Sequence, residues 1–350
     1  MRWPRLLYAG ARLCQVAALR PSAPVKVNWC LTYRCQYSCR TCRIWRRQPS
    51  DELSTDEALA FIERNRGIVW LDVTGGEIFL RQDIELILEA VLCSWPRLVL
   101  VHFPTNGFQT DRIAGVVDRL SRHRQTAIVV SVSVDGPPAL NDEIRGVPGG
   151  FDRQMATLNS LRRIPGVRTV LGMTLSRWNV DQVDETLAAC RRAVPDLQPA
   201  DIHVNLAQVS AHYYGNADAP PFRAEPDAEI AALRRVRAAQ SPPRSLGALV
   251  ERVYLKDAER FASSGVTPMS CHALRASCFV DPQGVVFPCL SDDRVVGRLR
   301  DSGMRLDSLW QAATARSLQQ EIWNGRCPQC WTACDAHPTL LANALVFRRS

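Results

Sequence analysis

VKVNWCLTYRCQYSCRTC, residues 25–42, runs from an apolar stretch into three closely spaced cysteines. Its first part, VKVNWCLT (25–32), is rich in β-branched and aromatic residues and reads as a strand. The loop that follows places Cys35, Cys39 and Cys42 within eight residues, with Arg34 and Arg40 beside them. Thiols grouped this closely point to metal chemistry. They can bind zinc with a fourth ligand from elsewhere. They can also bind three irons of a four-iron, four-sulfide cluster, leaving one iron open to a small molecule.

Further strand-like runs follow at 68–77, 98–107, 127–136, 167–179 and 201–210. Helical runs at 54–65, 83–95, 111–122, 151–163 and 180–193 separate them, the first opened by a Ser54/Glu57 capping box. Strands and helices alternating in this way predict a parallel sheet with right-handed crossovers. The fold class expected is α/β: a partial (β/α)6 TIM-like barrel, short of closure, followed by a small cysteine-rich domain. A gap in the wall would suit a large substrate. The expected organisation is an N-terminal basic amphipathic segment (1–24), the barrel with its connecting helices (25–262), and the cysteine-rich domain with its tail (263–350).

The 350 residues are 46% hydrophobic and 22% charged, as in an ordinary globular protein. No apolar run is long enough to span a bilayer, and no signal-peptide pattern opens the chain. The net charge of +8 is an N-terminal property, since the first fifty residues hold ten basic residues and no acid. No basic face interleaved with aromatics is evident, so no nucleic-acid partner is expected. Nine of the 13 cysteines fall in two groups, 35–42 and 271–334; in a chain of this size that favours metal thiolates over a disulfide framework.

The Cys-x3-Cys-x2-Cys loop after a first strand, with Gly75-Gly76-Glu77 ending the second, resembles the radical S-adenosylmethionine (radical SAM) superfamily. The resemblance implies that Cys35, Cys39 and Cys42 ligate a catalytic [4Fe–4S] cluster and that SAM chelates its open iron. Gly75, Gly76 and Glu77 would meet the methionine amino group. Asn106, with its neighbours Thr105 and Gly107, and Ser131 and Ser133 would touch the methionine or ribose part. Asn179 would sit by the adenosine. Arg145 reads either as a contact to SAM or substrate carboxylate or as a surface arginine. Two departures stand out: Thr41 replaces the usual aromatic before the last cysteine, and Ile78 replaces a frequent proline. Tyr37 and Trp45 are the nearby aromatics.

A second field, SCHALRASCFVDPQGVVFPC followed by RCPQCWTAC, resembles the SPASM and twitch auxiliary-cluster domains. Cys271, Cys289, Cys327 and Cys330 match the twitch spacing as ligands of one auxiliary [4Fe–4S] cluster. Cys278, Cys334 and His337 are spare or substitute ligands. Two clusters with one incompletely ligated, or a four-thiolate zinc site, remain open at this point.

The resemblance implies reductive cleavage of SAM to a 5′-deoxyadenosyl radical, which abstracts hydrogen from substrate. The auxiliary cluster would accept an electron or bind substrate. The alternative is a non-catalytic iron–sulfur or zinc protein that keeps the fold. Implied partners are an electron donor such as flavodoxin or ferredoxin, and a peptide or a small-molecule or lipid substrate. Only 34 residues precede Cys35, which weakens the expectation of a leader-peptide-binding domain there. HVNLAQVSAHYYGN (203–216) is expected to line the substrate pocket, with His203 and His212 as proton-transfer candidates. The expected location is cytoplasmic. A peripheral membrane contact is also open, through a basic helix carrying Trp3, Leu6, Leu7, Leu13, Val16 and Ala17 with Arg2, Arg5, Arg12 and Arg20 around it.

Overall fold

Alternation along the strands divides the barrel wall into two faces. In IHVNL (202–206), Ile202, Val204 and Leu206 are buried while His203 and Asn205 stay half-exposed. LVHFPT (100–105) does the same, burying Val101 and Phe103 and leaving His102 half-exposed. Successive side chains point to opposite faces of a sheet. The apolar set packs under helices, and the polar set faces a concave lumen.

The computed structural model describes residues 3–18, 21–48 and 50–345. The barrel part consists of α1 (Trp3–Ala18), β1 (Lys26–Cys30), α2 (Thr55–Arg64), β2 (Trp70–Thr74), α3 (Ile84–Ser94), β3 (Leu100–Thr105), α4 (Thr110–Leu120), β4 (Ala127–Ser133), α5 (Pro138–Arg145), α6 (Gly150–Arg162), β5 (Val167–Leu175), α7 (Val183–Ala193) and β6 (Ile202–Leu206). Then come α8 (Pro226–Ala239), α9 (Leu246–Ser264), β7 (Ser277–Val280), β8 (Val285–Phe287), β9 (Gly297–Arg298), α10 (Leu306–Gln311), α11 (Ala313–Trp323) and α12 (Ala333–Leu345).

The strands form one sheet in the order β6-β5-β4-β3-β2-β1-β7-β8-β9. β1 to β6 pair in parallel, and β7 joins the free side of β1 in parallel as well, Lys26 opposite Ser277. β8 and β9 then continue antiparallel. The sheet therefore runs without a break across the boundary expected near residue 262.

The core lies between the sheet and the outer helices. Trp29 packs on Phe61 of α2 with ring centroids 4.6 Å apart, and Phe79 meets Phe103 edge-on at 5.9 Å. Full burial of one such ring stabilises by about 1.5–3 kcal/mol. The capping box forms as the sequence predicts: Ser54 accepts from the Glu57 amide and Glu57 from the Ser54 amide.

α1 closes the N-terminal end of the barrel. Leu13 and Val16 join a cluster with Val25, Val69, Ala276 and Ala342. Arg5 and Arg12 reach the carbonyls of Leu98 and Ala23. The apolar face expected of this helix is thus divided, since Leu6 and Leu7 remain exposed. Arg2 and Arg20, and the side chains of Trp3 and Ala17, lie outside what is described.

Candidate metal centre and lumen

The cysteine loop leaves β1 and is held by backbone from two sides. From β2, the Gly76 amide donates to the Thr32 carbonyl at 2.9 Å and the Glu77 amide to the Arg34 carbonyl at 2.7 Å. Only glycine allows this approach. A Cβ on Gly75 would sit 2.5 Å from the Thr32 oxygen, and one on Gly76 would sit 2.1 Å from the Arg34 oxygen. The double glycine therefore seats its turn directly on the cysteine loop. From α5, the Ile144 carbonyl accepts from the Arg40 amide at 2.9 Å and the Arg145 carbonyl from the Ser38 amide at 3.2 Å.

Cys35, Cys39 and Cys42 are free thiols. Burial pushes the Cys35 thiol up to about 11 and raises Cys39 and Cys42 as well. Thiols in such a setting become thiolates when a cation binds them. Three of them on one backbone-pinned loop fit a cluster with three protein ligands.

Glu77 is buried behind the loop. Its carboxylate accepts from the Asn106 amide at 2.7 Å, from Thr105 Oγ1 at 3.1 Å and from the Phe79 amide at 3.3 Å. Burial outweighs these bonds and lifts its pKa to about 7. Asn106 Nδ2 reaches Gln36 Oε1 at 3.2 Å and Cys35 Sγ at 3.9 Å. Ser133 ends β4 half-exposed on the lumen side. Ser131, two residues earlier, faces His102, with its Oγ 2.8 Å from Nε2.

Asn179 and Arg145 lie one layer deeper. The Asn179 oxygen accepts from the Ser176 amide and hydroxyl, and its NH2 donates to the carbonyls of Asp135 and Thr174. With the side chain fully enclosed, it clasps the ends of β4 and β5 together. Arg145 is not a surface arginine. It pairs with buried Asp135 at 2.6 Å and lies over the Tyr37 ring. Burial opposes its charge, but Cys39 and Asp135 raise its basicity overall.

Four cysteines of the second field converge. Cys271, Cys289, Cys327 and Cys330 line one cavity. Neighbouring Cys330 and burial both push the Cys289 thiol up. Cys278 is buried in β7 within the main core, apart from that cavity. Cys334 packs instead with Cys42 and Tyr214 around Tyr213 and Phe279. Among the described residues, no group of three or more His, Cys, Asp or Glu is arranged to hold a single metal ion. Four thiols around one cavity match the ligand number of a four-iron cluster.

The loop after β6 joins the two fields. Asn216 Nδ2 donates to the Thr41 carbonyl at 2.8 Å, and the Arg43 amide donates to the Tyr214 carbonyl at 2.9 Å. The Tyr213 hydroxyl bonds Thr74 Oγ1 and reaches the Gly75 carbonyl at 3.3 Å. His212 Nε2 lies 3.1 Å from the Cys289 carbonyl, so it carries the proton there. The His212 ring stacks on Phe287, and burial lowers its pKa to about 4. This histidine is a neutral tie. His203 differs: it faces the lumen, 2.8 Å from Glu251 Oε1. Burial disfavours its charge, yet Glu251 leaves it raised.

Sequence reading missed the deeper lumen. Lys26 of β1 is fully buried, 2.6 Å from Asp72 Oδ2, and also donates to the Cys334 carbonyl. Trp70 Nε1 donates to Asp72 Oδ1 at 2.8 Å, and His102 Nδ1 stands 3.5 Å from the same oxygen. The signal was present: Lys26, Asp72 and His102 interrupt apolar strands just as Ser131 and His203 do.

Residues 29–190 match the radical SAM superfamily, and residues 271–331 match SPASM, an iron–sulfur cluster-binding domain. An AdoMet-dependent heme synthase of Methanosarcina barkeri is 27% identical over 88% of this chain and 89% of its own length. The mycofactocin maturase MftC of Mycobacterium ulcerans is also 27% identical, over 88% of this chain and 80% of its own. The solved structure of native anSMEcpe with bound AdoMet shares the fold, with a TM-score of 0.62 at 13% identity over 93% of this chain and 97% of that one.

Proposed function

Since this chain belongs to the radical SAM superfamily and carries a SPASM domain, we propose that Cys35, Cys39 and Cys42 hold its catalytic [4Fe–4S] cluster and that Cys271, Cys289, Cys327 and Cys330 hold an auxiliary one. The protein is a radical SAM enzyme. When bound, its reduced cluster supplies the electron that splits SAM into methionine and a 5′-deoxyadenosyl radical, which takes hydrogen from substrate.

The chain's own residues position and shield that chemistry. Gly75 and Gly76 set the turn against the cysteine loop, and Glu77 fixes the end of β3 behind it. In our reading Gly75, Gly76, Glu77, Asn106 and Ser133 form the SAM side of the site. Asn179 and Arg145 act through the elements they hold. Cys334 and Cys278 stay outside the cluster set. We assign SAM cleavage to 25–262 and the auxiliary cluster to 263–350, with 1–24 closing the barrel end.

For substrate we favour a peptide. Relatives named as maturases support this, as do the half-exposed polar side chains His102, His203 and Asn205 along the strands. A small molecule is the second reading, supported by the relative named as a heme synthase. The electron donor in this account is a flavodoxin or ferredoxin, and the setting a reducing cytoplasm that keeps thiols free. Among the described residues no helix is long and apolar enough to cross a membrane. Exposed Leu6 and Leu7 on α1 are what support a peripheral membrane contact.

The observation that carries the assignment is the seating of Gly76 on the Cys35 loop. The test is anaerobic: iron and sulfide per chain, and 5′-deoxyadenosine formed from SAM with dithionite. About eight irons should fall to about four in the Cys35/Cys39/Cys42→Ala variant, with nucleoside formation abolished. Iron unchanged in that variant, or no 5′-deoxyadenosine from wild type, would overturn it.

A further inference from the structure

Below the proposed SAM side of the site, three neighbouring strands place a serine, a histidine and an aspartate in line. Ser131 Oγ of β4 is 2.8 Å from His102 Nε2, and His102 Nδ1 of β3 is 3.5 Å from Asp72 Oδ1 of β2. The register puts Asp72 opposite His102. His102 is half-exposed to the lumen, whereas Asp72 is buried.

Asp72 is built to stay ionised. Burial alone would raise it, but Lys26 and His102 hold it well below the usual carboxylate range. Lys26 is enclosed completely and takes the far oxygen, Oδ2. Trp70 Nε1 donates to Oδ1, the oxygen that also faces His102. Nδ1 faces this carboxylate, and the tautomer that carries its proton there leaves the lone pair on Nε2, facing the Ser131 hydroxyl. An ionised carboxylate, an oriented imidazole and a hydroxyl in that order form a proton-transfer chain, recognised by geometry rather than by sequence position. A purely structural tie would not require a half-exposed imidazole or a fully buried lysine behind the acid.

We propose that Ser131, His102 and Asp72 form a proton-accepting site in the substrate lumen, serving a substrate that presents an O–H or N–H group there. Ser131 Oγ takes the substrate proton as its own proton passes to His102 Nε2. The imidazolium so formed faces the Asp72 carboxylate, which stays ionised. No electron moves in this step. Lys26 and Trp70 are positioning residues. The site rests on the lumen being the substrate chamber, as proposed above, but its own chemistry needs neither SAM nor an electron.

The test uses the cluster-loaded protein, kept anaerobic, with diisopropyl fluorophosphate as probe. Ser131 Oγ attacks phosphorus, the P–F bond breaks, fluoride leaves, and the proton goes to His102. Peptide mass mapping should find the label on Ser131. His102→Gln should slow labelling at least tenfold, and Ser131→Ala should abolish it, with iron per chain unchanged in both. Absence of label on wild-type Ser131, or an equal rate in His102→Gln, overturns the proposal. Because wild type itself must be labelled, the test stands even if His102→Gln loses its fold. Asp72→Asn is avoided because it would leave Lys26 buried without a countercharge. Failure here with 5′-deoxyadenosine formation intact removes this site alone. Loss of nucleoside formation in wild type removes the wider reading instead.

Discussion

A methyl group at Gly76 would lie 2.1 Å from the Arg34 carbonyl oxygen and 2.9 Å from Cys35 Cβ. Neither neighbour can turn aside, because one is backbone and the other is the root of a thiol that must point at a cluster. Gly76→Ala should therefore cost about 1–3 kcal/mol as overpacking and displace the loop. We expect iron per chain to fall from about eight toward about four while the far-ultraviolet circular dichroism is kept. Gly10→Ala is the control, since nothing lies within 4 Å of its Cβ position; its iron content should match wild type. Much at this scale was legible. Gly75 and Gly76 abut the cysteine loop, and four cysteines of the second field line one cavity, two groupings that the sequence already suggested. Arg145, Asn179 and Ser131 were not legible as they stand. Whether a polar side chain faces SAM, clasps two strand ends or pairs with a buried acid depends on partners tens of residues away.

At the scale of elements, α5 does most to brace the cysteine loop from behind. It is eight residues long, opens on Pro138 and stops at Gly146, whose positive φ ends it in a left-handed cap. Sequence reading placed no helix there, because a run of eight residues is too short to establish an apolar stripe. Its carbonyls hold Ser38 and Arg40, and its last side chain pairs with Asp135 beneath Cys39. Arg145→Met would leave Asp135 as an unpaired buried charge, a loss of about 3–5 kcal/mol. Urea unfolding should show that loss. Adding Asp135→Asn should restore a large part of it, because the charge then disappears with its partner. The six strands, by contrast, were legible because their apolar runs alternate with helical ones. Their inward polar residues were harder to read: a barrel's wet lumen and an ordinary solvated face leave the same alternation in the sequence.

On the scale of the whole molecule, β1 lies near the middle of the sheet, between β2 and β7. The β1–β7 pairing joins residues about 250 positions apart, which no local pattern announces. Cutting the chain after Ser264 would strip β1 of that neighbour and expose a row of unpaired backbone groups on an apolar edge. The truncated protein should sediment as aggregates and show a weakened, non-cooperative melt by circular dichroism. A soluble, cooperatively melting fragment would instead mark the two parts as independent domains. The loop after β6 bears on the same unity. It is bonded to the cysteine loop through Thr41 and Arg43, to the double-glycine turn through Tyr213, and to the auxiliary field through the Cys289 carbonyl. Thermodynamic linkage is reciprocal. Any free energy by which SAM, on binding, shifts this loop and so alters the redox poise of the auxiliary site must return in full as a change in SAM affinity when that site gains or loses an electron.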